Sequence, residues 1–295
     1  MDRYCALIAD VKGSKSYKED ERLELQLLLR DALSVLNRFY EEGIEKNVVF
    51  SGGDEVQGLF RDPLVAFLYF RMLGLILGFD VLRGGLGVGE WSVRVDSQES
   101  PGQDGPVYHR ARSAIAETKK GRRFDAVIRS DGMPDDALTT LMDHSLSICR
   151  MRTATQTETA CVVEFFYPLV PECWSERSAF DKSRLLYPLV SLINRRRFAS
   201  NGRDRKSLAD RIGEKDSAKG ESGALHPRVL VFGNTRSSMF RIEDDDLVGA
   251  AYQLADFSGM SRQGIDRQIS NGCISQERNA VAFFAYALSR LARGW

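Results

Sequence analysis

The order of apolar segments along the first half of the chain is the feature that most restricts its fold. Residues 4–9 form an uninterrupted apolar run that ends at Asp10, which is typical of a strand buried on both faces. Apolar residues at spacings near 3.6 then predict an amphipathic helix over residues 19–40. Two short strand-like segments, 47–51 and 56–60, flank a Gly-Gly-Asp-Glu segment, which predicts a β-hairpin with a glycine-led turn.

The next segments continue the alternation of helix and strand. A second helix is predicted over residues 63–77, followed by a glycine-rich strand over residues 81–91. A helix opened by Pro106, a short strand near residues 124–128 and a helix over residues 135–151 complete this half. The order β-α-β-β-α-β predicts an α+β fold built on a ferredoxin-like sheet with helices on one face.

Four glycines, at positions 84, 85, 87 and 89, superficially resemble a dinucleotide-binding fingerprint. They lie within a predicted strand and do not open a helix, so the pattern does not indicate a Rossmann fold. We expect them instead to allow close packing beneath the hairpin.

Size and charge set the domain organisation and restrict the partners. The 295 residues favour two domains, and 41 basic residues balance 41 acidic ones, so any contact with DNA must be local. We predict a first domain over residues 1–152, a helical connecting region over 153–198, a flexible linker over 199–227 and a mostly helical domain over 228–295. The five cysteines are scattered, and we find neither a signal peptide nor an apolar run that could span a bilayer, so we expect a cytoplasmic protein without membrane contact.

Two aspartates are the first candidates for chemistry. Asp10 ends a buried strand, and Asp54 stands at the tip of a hairpin that this strand order places beside it. Two carboxylates there can hold Mg²⁺ (or Mn²⁺), which prefers oxygen ligands and is often completed by substrate phosphates. Taken singly, Asp10 is explained as a capping residue and Asp54 as a turn former. Their occurrence together favours a metal site.

Three residues after the first aspartate are candidates for phosphate contact. Lys12 can bind phosphate, as can the backbone amides of Gly13 and Ser14 at the approach to the first helix. The alternative for Lys12 is a solvated side chain.

Four blocks of sequence carry a family resemblance. They read ADVKGS (9–14), SGGDEV (51–56), RGGLGVGE (83–90) and DGPVYHRAR (104–112). Together they resemble the SatD family and, more distantly, the palm-type catalytic domains of class III nucleotidyl cyclases, GGDEF diguanylate cyclases and CRISPR-associated palm polymerases. The resemblance implies a palm sheet, a nucleotide substrate and a homodimer with sites shared across its interface.

The resemblance also assigns roles to individual residues. It implies that Asp10 and Asp54 bind metal ions, with Glu55 an auxiliary ligand as in GGDEF proteins. Gly52 and Gly53 of the hairpin turn join the residues expected to contact the nucleotide.

The fourth block resembles the cyclase helix that ends in a transition-state arginine, and Arg112 falls at that place. Such an arginine stabilises charge on the transferred phosphoryl group. Tyr108 replaces the cyclase asparagine four residues earlier, which argues against mononucleotide cyclase activity. The alternative for Arg110 and Arg112 is a solvated helix face, and for His109 a surface histidine.

The carboxy-terminal part contains a helix-turn-helix pattern over residues 247–272. Ala255, Gly259 and Ile265 occupy its small, turn and apolar positions, and Ser261 is placed to cap the second helix. We expect DNA contacts from the outward side chains, namely Arg262, Gln263, Arg267 and Gln268. The alternative is a packing or oligomerisation module, and the acidic residues 243–246 argue against DNA because they repel phosphate.

These observations lead to a main hypothesis with two alternatives. The main one is a metal-dependent nucleotide-binding protein, a nucleotidyl cyclase or nucleotidyltransferase-like enzyme acting on a nucleoside triphosphate. The first alternative is a nucleotide-sensing, DNA-binding transcriptional regulator without catalysis. The second is a scaffold whose palm sheet is catalytically inactive.

Overall fold

The computed structural model describes residues 3–121, 123–171, 185, 188–193, 211, 228–231, 241–242 and 247–292. The predicted linker, 199–227, lies outside the described residues except for Arg211, and so do the acidic residues 243–246 and much of the predicted connecting region.

Two sheets and eight α-helices have both ends within the described residues. The first sheet contains β1 (Tyr4–Val11), β2 (Ile44–Gly52), β3 (Glu55–Phe60), β4 (Leu82–Gly89) and β5 (Ala126–Arg129). The helices of this half are α1 (Glu19–Phe39), α2 (Pro63–Leu77), α3 (Pro106–Gly121), α4 (Asp135–Arg150) and α5 (Ala154–Phe166). The remaining elements are β6 (Leu169–Pro171), β7 (Arg228–Val231), β8 (Arg241–Ile242), α6 (Ala250–Ser258), α7 (Arg262–Asn271) and α8 (Ile274–Ala292).

The first sheet has the strand order β2-β3-β1-β4-β5. Central strand β1 is antiparallel to both β3 and β4, and β5 joins β4 in parallel. A second, three-stranded sheet has the order β6-β7-β8. The prediction of a mixed α+β fold is therefore confirmed. Within the described residues, no helix is both long and apolar enough to cross a membrane.

Helices cover both faces of the first sheet, so the prediction of helices on one face is wrong. Cys5, Leu7 and Ala9 of β1 pack into the core that α1 and α2 cover. The alternate residues Ala6 and Ile8 pack into a second core with Val107, Ala111 and Ile115 of α3. The physical reason is visible in β1 itself: a strand that is apolar on both faces needs a cover on each.

The glycines of β4 explain how closely α3 approaches the sheet. A Cβ atom on Gly87 would lie 2.2 Å from the carbonyl oxygen of Val107, and one on Gly85 would lie 2.4 Å from the amide nitrogen of Ile115. These glycines therefore seat the helix backbone directly on the strand. The expected packing beneath the hairpin is wrong, because β1 separates β4 from the hairpin strand β3.

Local signals set the bounds of the elements between β2 and β4. The hairpin turn begins at Gly53, whose φ of 63° suits the left-handed turns that join antiparallel strands. Helix α2 begins after Asp62, whose carboxylate accepts a hydrogen bond from the amide of Leu64 at 2.6 Å. It ends at Gly78, which has a φ of 102°. The predicted bounds 63–77 are confirmed.

The carboxy-terminal helices pack onto the amino-terminal half. Helix α8 lies against α4, and the Phe284 ring meets the Phe67 ring of α2 edge-on at 4.8 Å between centroids. One cluster of buried apolar side chains runs from β1 to α8. The domain boundaries given above stay predictions.

A buried ionic network lies inside this helical layer. The Arg71 guanidinium of α2 donates to both carboxylate oxygens of Glu277 at 2.7 Å and lies 2.9 Å from Glu164. Arg278 donates to Glu164 at 2.6 Å, and Arg152 lies 3.5 Å from Glu277. Every one of these side chains is at most 2 % exposed. The network therefore ties α2 to α5 and α8 by charge as well as by apolar contact.

Candidate functional site

Asp10 is the centre of a polar cluster at the carboxyl end of β1. It is 7 % exposed and lies on the α3 face of the sheet, where the alternation of β1 places residues 6, 8 and 10. Its Oδ2 accepts hydrogen bonds from Arg83 of β4, at 2.7 Å from Nη2 and 3.1 Å from Nε. The ammonium of Lys119, near the end of α3, lies 3.1 Å from the same oxygen.

Glu55 is the second carboxylate of this cluster. It lies directly across from Asp10 in the antiparallel pairing of β1 and β3. Directly opposed residues point to the same face of a sheet, so both carboxylates face α3. Lys119 lies between them, 4.0 Å from the Glu55 carboxylate. The cluster holds two carboxylates and two cations and is therefore neutral as a whole.

The cations keep Asp10 ionised. Burial alone raises the pKa of this carboxyl, but the hydrogen bonds and charges of Arg83 and Lys119 outweigh burial, so its pKa lies below the ordinary value. Asp10 is therefore an anion at neutral pH and can act as an oxygen ligand without losing a proton first.

Asp54 lies on the other side of the hairpin. It lines a narrow cleft with Tyr17, Leu25 and Leu29, on the α1 side of the sheet. Its Oδ2 is buried and has no hydrogen-bond partner among the residues that the structure describes. The structure thus brings Asp10 together with Glu55, whereas Asp54 faces the opposite helix layer. In the described part of the chain, no three acidic, histidine or cysteine side chains gather into a metal-binding group.

The residues expected to contact phosphate have mixed surroundings. The Lys12 ammonium is engaged by the carboxylate of Asp125 and by the carbonyl oxygen of Phe79, at 2.9 Å in the latter case. Gly13 has a φ of 64° and precedes a short 3-10 turn that starts at Ser14. Gly52 and Gly53 are exposed at the hairpin turn. Lys12 is therefore already paired, and the glycine turns are open to solvent.

Arg112 is an exposed residue of α3 whose guanidinium extends toward the first sheet. Its Nη2 donates to Oε1 of Gln57 at 3.4 Å. Tyr108, one turn earlier, is 1 % exposed and hydrogen-bonds Ser100 at 3.0 Å between hydroxyl oxygens. His109 is exposed and lies 3.6 Å from Asp104. Tyr108 is therefore a buried structural side chain, while Arg112 stays accessible.

Sequence reasoning missed three members of the cluster. Arg83 and Lys119 hold Asp10, and Gln57 holds Arg112. A basic residue at the start of a glycine-rich strand was a usable signal for Arg83. Lys119 and Gln57 had no such sequence signal, because their partners depend on strand register and on how closely α3 approaches the first sheet.

The family of the chain follows from the part that contains this cluster. The model of the SatD family matches residues 4–158, which is just over half of the chain and includes Asp10, Glu55, Arg83 and Lys119. The chain belongs to the SatD family. The curated proteins and the solved structures searched contain no match to it.

The matched SatD region ends within α5, so the helical pair α6 and α7 lies beyond it. Gly259 ends α6 with a φ of 68°, and Ser261 accepts a hydrogen bond from the amide of Gly264 at 3.2 Å at the start of α7. Ile265 is buried, as the pattern predicts. The side chains of Arg262, Gln263 and Arg267 are exposed and Gln268 is half-buried. The local turn between two helices is thus present in this SatD family chain.

Proposed function

We propose that this chain binds a nucleoside triphosphate together with Mg²⁺ (or Mn²⁺) at the Asp10 cluster and transfers its phosphoryl or nucleotidyl group. The observation that carries the proposal is the pairing of Asp10 and Glu55 on one face at the end of β1, with Arg83 and Lys119 beside them. Carboxylates next to accessible cations are the components with which proteins hold a metal–phosphate complex.

The sheet supports this proposal. The first four strands and the two helices that connect them follow the order β-α-β-β-α-β, and the order β2-β3-β1-β4 has β1 antiparallel to both neighbours. That arrangement agrees with the ferredoxin-like sheet on which palm domains are built. Helix α3 on the second face is an addition that forms one wall of the proposed site.

The donor set fits Mg²⁺ in its usual role. Mg²⁺ takes oxygen ligands and is commonly bound by one or two carboxylates plus substrate phosphates, and Asp10 and Glu55 supply two such carboxylates. When bound, the ion neutralises charge that develops on the transferred phosphoryl group. We assign Asp10 and Glu55 as its ligands in place of Asp10 and Asp54, because Asp54 faces the α1 side.

The side chains of the chain itself have distinct tasks in this proposal. Arg83 fixes the orientation of Asp10 through two hydrogen bonds to one oxygen. Lys119 is 41 % exposed and can turn from the carboxylates toward a phosphate oxygen. Arg112, also on α3, contributes a second accessible cation. Whether two subunits share the site, as the resemblance implies, stays a prediction.

The test compares nucleotide binding by the wild type with binding by Asp10→Asn and Glu55→Gln. Titration calorimetry with ATP, GTP, CTP and UTP in Mg²⁺ should show binding by the wild type that weakens about tenfold or more in both variants. Glu24→Gln, which removes an exposed carboxylate of α1, is the matched control and should bind as the wild type does. Release of pyrophosphate or phosphate from the bound triphosphate then tests transfer.

The opposite outcome is equally informative. If no metal is involved and the two cations bind phosphate directly, removal of a carboxylate frees Arg83 and Lys119, so affinity should rise in both variants. Tighter binding that does not depend on Mg²⁺ would therefore contradict the metal site while keeping a phosphate site.

A second candidate function is DNA binding by the α6–α7 pair. The specific observation is the exposure of Arg262, Gln263 and Arg267 on a helix whose start is capped by Ser261. Arg262 lies 3.6 Å from Asp266, so Arg267 is the cation less committed to a neighbour on its own helix. A chain with both sites would be a nucleotide-sensing regulator.

For DNA binding, we expect Arg267→Ala to weaken affinity and to reduce the slope of log K against log salt by about 1. The slope is measured by fluorescence anisotropy with a duplex at several salt concentrations. Arg30→Ala, which removes an exposed arginine of α1, should leave the slope unchanged. Equal slopes in all three proteins would remove α7 from DNA contact.

A further inference from the structure

Gln57 is an unusual side chain on the α3 face of the sheet. It follows Glu55 by two residues on β3, so it points to the same face, and it is 2 % exposed. A buried amide must satisfy both its donors and its acceptor, because an unpaired polar group away from water destabilises the fold. The partners of Gln57 therefore determine which way its amide faces.

Ser100 fixes that orientation. The Nε2 of Gln57 donates to the carbonyl oxygen of Ser100 and contacts its hydroxyl, both at 3.2 Å. A carbonyl oxygen only accepts hydrogen bonds, so the amide nitrogen has to face Ser100. The oxygen Oε1 is thereby directed toward α3, where it accepts the hydrogen bond from Arg112 at 3.4 Å.

Ser100 is in turn held by Tyr108. Ser100 is fully buried, and its hydroxyl lies 3.0 Å from the Tyr108 hydroxyl. Burial raises the pKa of Tyr108 to about 12, so the phenol stays protonated even in mildly alkaline solution. Contacts therefore link Tyr108 to Ser100, Ser100 to Gln57 and Gln57 to Arg112. This series of contacts starts and ends on α3.

Two accessible cations, Arg112 and Lys119, mark the two ends of one stretch of α3. They are seven positions apart, which is about 10 Å along a helix axis. Lys119 lies at the carboxylates, and Arg112 lies beside Gln57. A single phosphate is too small to contact both ends, whereas a triphosphate chain is long enough to approach both.

We propose that Gln57 is a positioning residue that holds Arg112 in place. Arg112 then contacts the part of a triphosphate chain that lies farthest from the carboxylates of Asp10 and Glu55. This inference rests on the proposed function, because it assumes that Asp10 and Glu55 receive the metal-bound end of the nucleotide. Gln57 itself does not touch the ligand. It makes the site selective for triphosphates over monophosphates.

The test measures the dissociation constants of the nucleoside triphosphate that binds the wild type most tightly and of its monophosphate, both with Mg²⁺. We expect Gln57→Met to weaken triphosphate binding about fivefold to tenfold, and monophosphate binding less than about twofold. Arg112→Ala should likewise weaken triphosphate binding much more than monophosphate binding. Adding Gln57→Met to Arg112→Ala should have no further effect, because the cation to be positioned is gone.

A merely structural Gln57 gives a different pattern. Equal weakening of both ligands by Gln57→Met, or weakening that persists in the Arg112→Ala background, would overturn the inference. So would a triphosphate affinity that Gln57→Met leaves unchanged. If the wild type binds no triphosphate at all, the proposed function fails and this inference fails with it. The titration of the wild type alone gives that result, so it is distinguishable from a failure seen only in the variants.

Discussion

Glu277→Gln should cost the chain about 3–5 kcal/mol of unfolding free energy. Glu277 is fully buried, and its carboxylate accepts hydrogen bonds from Arg71 and from the hydroxyl of Ser145, all at 2.7 Å. The network contains three arginines and two glutamates. The network thus already has one excess positive charge, and loss of one negative charge raises this excess to two in the interior, where desolvation is most expensive.

Chemical denaturation followed by circular dichroism measures this loss. Glu45→Gln, which breaks the more exposed ion pair with Arg61, should cost less than about 1 kcal/mol. The double variant Arg71→Met with Glu277→Met removes one charge of each sign, so it should be more stable than Glu277→Met alone. A double variant less stable than that single one would contradict the charge explanation.

The same carboxylate links stability to acid. Burial raises the pKa of Glu277, but the charge and hydrogen bonds of Arg71 outweigh burial and lower it from 4.5 to about 2. A lowered folded-state pKa means that its stabilisation is complete above pH 4.5 and is lost as the pH falls toward 2, by about 3 kcal/mol. In Glu277→Gln, this part of the acid dependence should be absent.

Much of the sheet could be predicted from the sequence. The apolar run of β1, the glycine-led hairpin and the α2 helix over residues 63–77 each depend on residues close together in the chain, and each was confirmed. The error over α3 has a physical cause. The sequence pattern of a helix shows which of its sides is apolar, but it does not show which face of the sheet the helix covers. Here Gly85 and Gly87 determine that face, because their lack of side chains lets the backbone of α3 approach β4 closely.

The candidate site was harder to predict than the fold. Asp10 was identifiable because it ends a buried strand. Its partners Glu55 and Arg83 are set by strand register, and a shift of one residue moves a side chain to the other face, as the opposite directions of Asp54 and Glu55 show. The buried network of Arg71 carries no sequence signal, since its partners Glu164 and Glu277 lie far along the chain.

Gly87→Ala should destabilise the chain by about 3 kcal/mol, at the upper end of overpacking effects. The added Cβ would lie 2.2 Å from the carbonyl oxygen of Val107 and 2.3 Å from the amide nitrogen of Ala111. Both atoms belong to the backbone of α3, so no side chain can turn away, and the helix must lift from the sheet. The lift also moves Lys119 away from Asp10.

Gly→Ala substitutions at two other positions are matched comparisons, because each adds the same methyl group in different surroundings. In Gly89→Ala the close atom is Nη1 of Arg110 at 2.1 Å, the end of a flexible side chain that can swing aside, so we expect a loss of about 1 kcal/mol. Gly52→Ala meets no atom within 4 Å and should cost less than about 0.5 kcal/mol. Urea denaturation of the three variants measures the order. If Gly87→Ala were as stable as Gly52→Ala, the backbone of α3 could not rest on β4, and the position of Lys119 beside the carboxylates would lose its structural basis.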